Sequence, residues 1–168
     1  MTKNYSFLPL LINEGIYLIN DSNLSATVLQ VTEPASTPNR ELSIMGKNNK
    51  HVIILVNHPE SPFTTTSQEL LLRNILTAMN MTINDIALIN LAHLELPVTV
   101  EELKRVGCSF LIGFDIPPNS IKDVDLIKNQ IKEETSIKFL ATFSLNELEV
   151  DKSMKMLLWK NLKMMFNL

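Results

Sequence analysis

His51-Val52-Ile53-Ile54-Leu55-Val56-Asn57-His58-Pro59-Glu60 is the stretch on which the fold turns. Val52 to Val56 are apolar without a break and mostly β-branched, the pattern of a strand buried on both faces. Downstream, Thr66-Ser67-Gln68-Glu69 has the form of a capping box, in which a hydroxyl and a carboxylate satisfy orphan amides at a helix start. It predicts a helix to about Met79, with Leu71, Ile75 and Ala78 or Met79 on one face. Ile86-Ala87-Leu88-Ile89 is a second strand of the buried type. Thr99-Val100-Glu101-Glu102 repeats the capping pattern before a short helix ended by Gly107, and Ser109-Phe110-Leu111-Ile112 follows as a third strand. Strand, helix, strand, helix and strand with short links predict parallel pairing, because parallel neighbours need crossovers, and those are right-handed. The expected architecture is a three-layer α/β/α domain with a mainly parallel central sheet and helices on both faces.

Working outward, Tyr5 to Asn13 predicts a short helix stopped by Gly15, a residue suited to a left-handed cap. Ile16 to Ile19 and Ala26 to Val31 read as short strands around the turn Asn20-Asp21-Ser22-Asn23. Thr32 to Lys50 is loop-like, interrupted by Pro34, Pro38 and Gly46. Beyond Pro117-Pro118, Ile121, Val124, Ile127 and Ile131 have helical spacing, but Lys and Asp fill the gaps, which fits a partly irregular segment as well as a helix. Ile137 to Phe143 predicts another strand, and Ser144 with Glu147 three residues on predicts a helix cap. Asp151 is placed to cap a final helix whose apolar face is Met154, Leu158, Leu162 and Met165. The expectation is one α/β domain over 1–168: residues 1–50 supply an N-terminal helix, short strands and a loop, and 51–168 the core.

Composition narrows the function. A chain of 168 residues can bury a sizeable core, and 45% hydrophobic with 20% charged residues is ordinary globular composition. The net charge of −3 and pI near 5.6 argue against binding nucleic acid mainly through its phosphates, which needs clustered Lys and Arg. The lone Cys108 excludes an intramolecular disulfide and a cysteine-rich metal or iron–sulfur site. Phe7 to Ile12 is short, contains Pro9, and does not make a signal peptide; no stretch approaches the ~20 apolar residues of a membrane span. A cytoplasmic protein is expected.

In an open parallel sheet, ligands bind beyond the carboxyl ends of the strands. That rim holds Asn57-His58-Pro59-Glu60, Asn90-Leu91-Ala92-His93, Gly113-Phe114-Asp115 and Thr142-Phe143-Ser144. His58, Glu60, His93 and Asp115 are the acid–base candidates there, with Asn90 beside them. Loop residues with solvated side chains are the competing explanation, since such rims collect polar residues whatever the function. The three histidines show no metal spacing, and four glycines make neither a phosphate loop nor a dinucleotide fingerprint. No metal and no cofactor is expected. Cys108 opens a buried-type strand and reads as a small core residue. In the final helix, Trp159, Met156, Met164, Met165 and Phe166 suit either core packing at the chain end or a partner surface, where Trp and Met are enriched.

Taken together, the rim segments resemble the uracil-DNA glycosylase superfamily, especially its bacterial iron–sulfur branch, from about His51 to Phe166. His51 to Glu60 resembles its first strand and Gly-Glu-Ala-Pro-Gly loop. Asp85-Ile86-Ala87-Leu88-Ile89-Asn90 is similar to its strand ending in Thr-Asn, and Phe139-Leu140-Ala141-Thr142-Phe143-Ser144 to the strand before its Thr-x-His-Pro-Ser loop. The resemblance implies a uracil-DNA glycosylase-like fold. This chain departs from it where the chemistry sits: the acidic loop has become Asn57-His58-Pro59-Glu60, no His-Pro pair follows Ser144, and the cluster cysteines are missing. Without that histidine, nothing in the loop stabilises charge on a departing base.

A second resemblance is to the psi subunit family of bacterial DNA polymerase III, carried by Leu11 to Ile16, by His51-Val52 and by Leu157-Leu158-Trp159. It implies a non-catalytic α/β protein that joins replisome components. The functional expectation is therefore a non-enzymatic adaptor with protein partners, no membrane, and weak or absent direct nucleic-acid binding. Candidate contact residues are Tyr5, Phe7, Trp159 and Phe166. The alternative is a nucleobase-binding protein or glycosylase-like enzyme that uses His58, Glu60, Asn90 and Asp115 in the strand-end crevice.

Overall fold

The apolar runs pair with one another into one sheet. In the computed structural model, which describes residues 41–168, β1 (Val52–Val56), β2 (Ile86–Asn90), β3 (Phe110–Phe114), β4 (Ile131–Glu134) and β5 (Ile137–Thr142) form a five-stranded sheet of order β2-β1-β3-β5-β4. β1 lies parallel between β2 and β3, and β5 continues the parallel array beside β3. β4 is antiparallel on the β5 edge. The expected helix at Tyr5 to Asn13, the two strands after it, and the candidate residues Tyr5 and Phe7 lie outside the described residues.

Among the described residues four α-helices accompany the strands: α1 (Thr66–Ala78), α2 (Val100–Val106), α3 (Leu145–Val150) and α4 (Lys152–Phe166). All five residues of β1 are buried, as an unbroken apolar run requires. Alternate residues face opposite ways. Val52, Ile54 and Val56 join Leu72 and Leu76 of α1, Leu148 of α3 and Leu158 and Leu162 of α4 in one core. Ile53 and Leu55 join Leu103 of α2 with Ile121, Val124 and Leu126 in the other. Each fully buried Leu or Ile contributes about 1.5–3 kcal/mol, so these two layers supply most of the driving force.

Local signals set the helix ends. Thr99 caps α2: its Oγ1 accepts from the Glu102 amide at 3.1 Å, and Glu102 Oε2 accepts from the Thr99 amide at 2.8 Å. Gly107 closes the helix at φ +81°, where a side chain would be strained. Ser144 and Glu147 make the same reciprocal cap for α3, and Asp151 accepts from the Ser153 and Met154 amides at the start of α4.

Two expectations are corrected. The cap of α1 is Thr65 with Gln68, one residue earlier than Thr66 with Glu69. Gln68 is buried, takes the Thr65 amide at 3.1 Å and donates to Asn146 at 2.9 Å, while Glu69 turns outward to Arg73. The Ile121 to Ile131 spacing is not helical. Ile121 instead bridges to Val98, and Ile131 opens β4. β4 itself escapes the periodicity, because a charged edge strand with one apolar residue carries no burial pattern. The free edge of β2 is covered by the end of the long loop: Met45 exchanges backbone bonds with Leu88, and Asn48 donates to Ile86 O. Gly46 lies at φ +108°, and a Cβ there would fall 2.2 Å from Ile86 O.

Candidate functional site

The carboxyl ends of β1, β2, β3 and β5 bring the four rim segments to one side of the sheet. Asn90 ties the first two of these segments together, and its partners are backbone groups. Its Nδ2 donates to the carbonyls of His58 (2.7 Å), Ser61 (2.9 Å) and Pro62 (3.2 Å). Its Oδ1 accepts from the amides of His58 (2.9 Å) and Ala92 (3.1 Å). The side chain is buried with both ends of its carboxamide engaged, which fits a latch holding the β1–α1 loop on β2. His93 adds a second tie, its Nε2 lying 3.0 Å from Ser61 O.

The side chains of the other rim candidates do not join Asn90. Glu60 and Asp115 are exposed, and Asp115 sits at φ +51° with its amide donating to Thr142 O at 3.2 Å. His58 is half-buried, and its Nδ1 is enclosed without a hydrogen-bond partner among the described residues. The strand-end crevice, about 250 Å³, is lined by Asn57, Leu91, Leu94, Glu95, Asn119 and their neighbours. That lining includes none of His58, Glu60, Asn90 or Asp115. Ile116 closes over β3 nearby: a Cβ on Gly113 would lie 2.2 Å from Ile116 Cδ1, so the glycine makes room for this side chain. The rim thus supplies polar side chains in the expected places, with Asn90 and His93 holding loop backbone and Glu60 and Asp115 exposed.

Cys108 is buried, and burial pushes its thiol up to about 12, far from a reactive thiolate at neutral pH. Among the described residues no group of His, Cys, Asp and Glu could hold a metal ion, and no helix is long and apolar enough to cross a membrane.

A different surface is built on the opposite elements. α1, α3 and α4 frame an apolar groove of about 200 Å³, lined by Leu71, Asn74, Ile75 and Ala78 of α1, Leu148 of α3, and Lys155, Leu158, Trp159 and Leu162 of α4. Trp159 is half-buried in this wall, with Lys163 Nζ 5.4 Å from its ring centroid. Leu70, Met156 and Val150 are large apolar side chains left exposed on the same three helices. Phe166, the other aromatic of α4 singled out from sequence, packs inward on Phe110 with ring centroids 4.5 Å apart. It anchors the helix end to β3. The signal for the groove was Trp159 at the margin of the α4 stripe; its α1 wall had no signal, because Leu71 and Ile75 read as ordinary core positions.

Compared with known proteins, the chain matches no protein-family model and no curated protein sequence.

Proposed function

We propose that this chain is a non-enzymatic protein–protein adaptor that works through the α1–α4 face. The observation that carries the reading is the apolar groove at Trp159, on helices that also leave Leu70 and Met156 exposed. Apolar concavities with an aromatic anchor are where protein interfaces concentrate their energy. The rim supports the same reading from the other side: a buried Asn90 tied to backbone groups holds a loop and has no free hydrogen-bonding edge for a substrate. The preferred partner class is a replisome component, as the psi-like residues Leu157-Leu158-Trp159 suggest, on a glycosylase-like frame whose chemistry has been replaced.

The test is an affinity pull-down from native lysate with the full chain and with a Leu70→Glu/Met156→Glu variant. Both substituted residues are exposed, so the variant keeps the fold. The adaptor reading expects a partner retained by the first bait and lost by the second. Identical protein profiles from both baits overturn it. Recovery of no polymerase, clamp-loader or single-strand-binding component overturns the replisome version. Base release from uracil-containing single-stranded DNA that disappears in a His58→Ala variant would establish the enzyme reading instead.

A further inference from the structure

The charge on α4 specifies what the groove accepts. Over Lys152–Phe166 the helix carries four lysines and no carboxylate, within a chain of net charge −3. At 100° per residue, Lys152, Lys155, Met156, Trp159 and Lys163 fall on one flank of the helix. It is the flank toward α1, since Lys155 and Trp159 line the groove. The facing wall brings no charge: α1 presents Leu71, Asn74, Ile75 and Ala78, while its Glu69 and Arg73 pair with each other at 2.6 Å. Three carboxylates lie just before α4, Glu147, Glu149 and Asp151; Glu149 is exposed and the other two are engaged elsewhere. Asp151 takes up the Ser153 and Met154 amides, and Glu147 caps α3 and lies 4.0 Å from Lys128. Lys155 lines the groove, and its Nζ donates to the backbone carbonyl of Glu149 at 3.0 Å, with no carboxylate oxygen paired to it.

Resting on the adaptor reading, we infer that the α1–α4 groove receives an acidic amphipathic helix of a partner protein. One apolar stripe of that helix would seat against Trp159, Leu71 and Ile75, and carboxylates beside the stripe would meet Lys152, Lys155 and Lys163. The groove's volume of about 200 Å³ is below the ~300–1,000 Å³ usual for small-molecule sites and suits anchoring side chains of a docked helix. Its concavity distinguishes it from a flat membrane-binding face, on which a basic helix would present its apolar side outward.

A displayed library of helical peptides with a fixed leucine stripe and randomised flanking positions tests this on the full chain. Selection is expected to enrich Glu and Asp at the flanks. Against a Lys155→Glu/Lys163→Glu variant, whose changed residues are exposed, the preference is expected to invert toward Lys and Arg. A selected acidic peptide should bind the variant ~10-fold more weakly at low salt, with the difference shrinking at 0.5 M salt. Enrichment without a charge preference, no enrichment, or the same preference with both proteins overturns the inference. So does a blue shift of Trp159 emission on phosphatidylglycerol vesicles but not on the acidic peptide, which would mark a lipid surface. If the library fails while a lysate partner is still lost with Leu70→Glu/Met156→Glu, the occupant is wrong and the adaptor reading stands.

Discussion

Replacing Asn90 with alanine removes the carboxamide that ties the β1–α1 loop to β2. The two Nδ2 hydrogens serve three carbonyls, and Oδ1 accepts from two amides. The loss is therefore about four hydrogen bonds at roughly 1 kcal/mol each. Ser61 is half-buried and Pro62 exposed, so water takes over part of the carbonyl side, leaving an expected destabilisation of about 3 kcal/mol. In a urea titration with a slope of ~1.5 kcal/mol/M, the midpoint falls by about 2 M. Asn90→Asp is the sharper probe. It keeps an oxygen for the His58 and Ala92 amides but turns an anion toward three carbonyl oxygens, which raises the carboxyl's folded-state pKa. The folded state then binds more protons than the unfolded one, so the variant loses stability as pH rises above about 4. An unchanged midpoint for Asn90→Ala, or an Asp variant that gains stability with rising pH, would refute the latch.

Gly46→Ala places a Cβ 2.2 Å from Ile86 O at a φ of +108°; it is expected to cost about 2–4 kcal/mol and to speed hydrogen exchange at the Met45 and Leu88 amides. Wild-type exchange rates at those amides in the variant would contradict the edge cover. Cys108, with its thiol pushed up to about 12, is expected to resist alkylation in the folded protein at neutral pH and to react on unfolding. Rapid stoichiometric labelling of folded protein would be the opposite result. The carboxyls of Glu147, Asp85 and Asp151 are held below their ordinary range, first by the backbone amides of Ser144 and Thr82 and by the Ser153 hydroxyl respectively. Depressed carboxyls stabilise the fold above their unfolded values and lose that contribution as pH falls, so the urea midpoint should drop below about pH 4. Ser144→Ala should flatten part of that drop; an equally steep profile would argue against the cap.

Legibility followed the range of the interaction that fixes each element. β1, β2 and β3 were readable because burial on both faces demands an unbroken apolar run, and Thr99, Ser144 and Asp151 because a cap is completed within three residues. The α1 cap was harder, since Thr64, Thr65 and Thr66 each offer a hydroxyl. Gln68 decides among them by reaching Asn146, 78 residues away. β4 turns into β5 through Thr135 and Ser136, both at positive φ, without the glycine that normally marks such a hairpin. Over 115–130, Ile121, Val124 and Leu126 pack one by one into the core while Ile127 is exposed, so the helical spacing of Ile121, Val124, Ile127 and Ile131 is coincidental. At the rim, sequence located the polar residues but not the role of Asn90. Its partners are backbone groups at positions 58 to 62, about thirty residues away, and no side-chain pattern records them.

In the proposed adaptor the strand-end rim holds the fold and the α1–α4 groove binds the partner. Trp159 is the only tryptophan in the chain, so its indole N–H gives one assignable resonance inside that groove. Titrating the isotope-labelled chain with an acidic amphipathic helical peptide should shift the Trp159 indole signal and the amides of Leu71, Ile75 and Lys155. The amides of His58, Asn90 and Asp115 should stay in place. Shifts that gather on His58, Asn90 and Asp115 while Trp159 does not move would contradict the account.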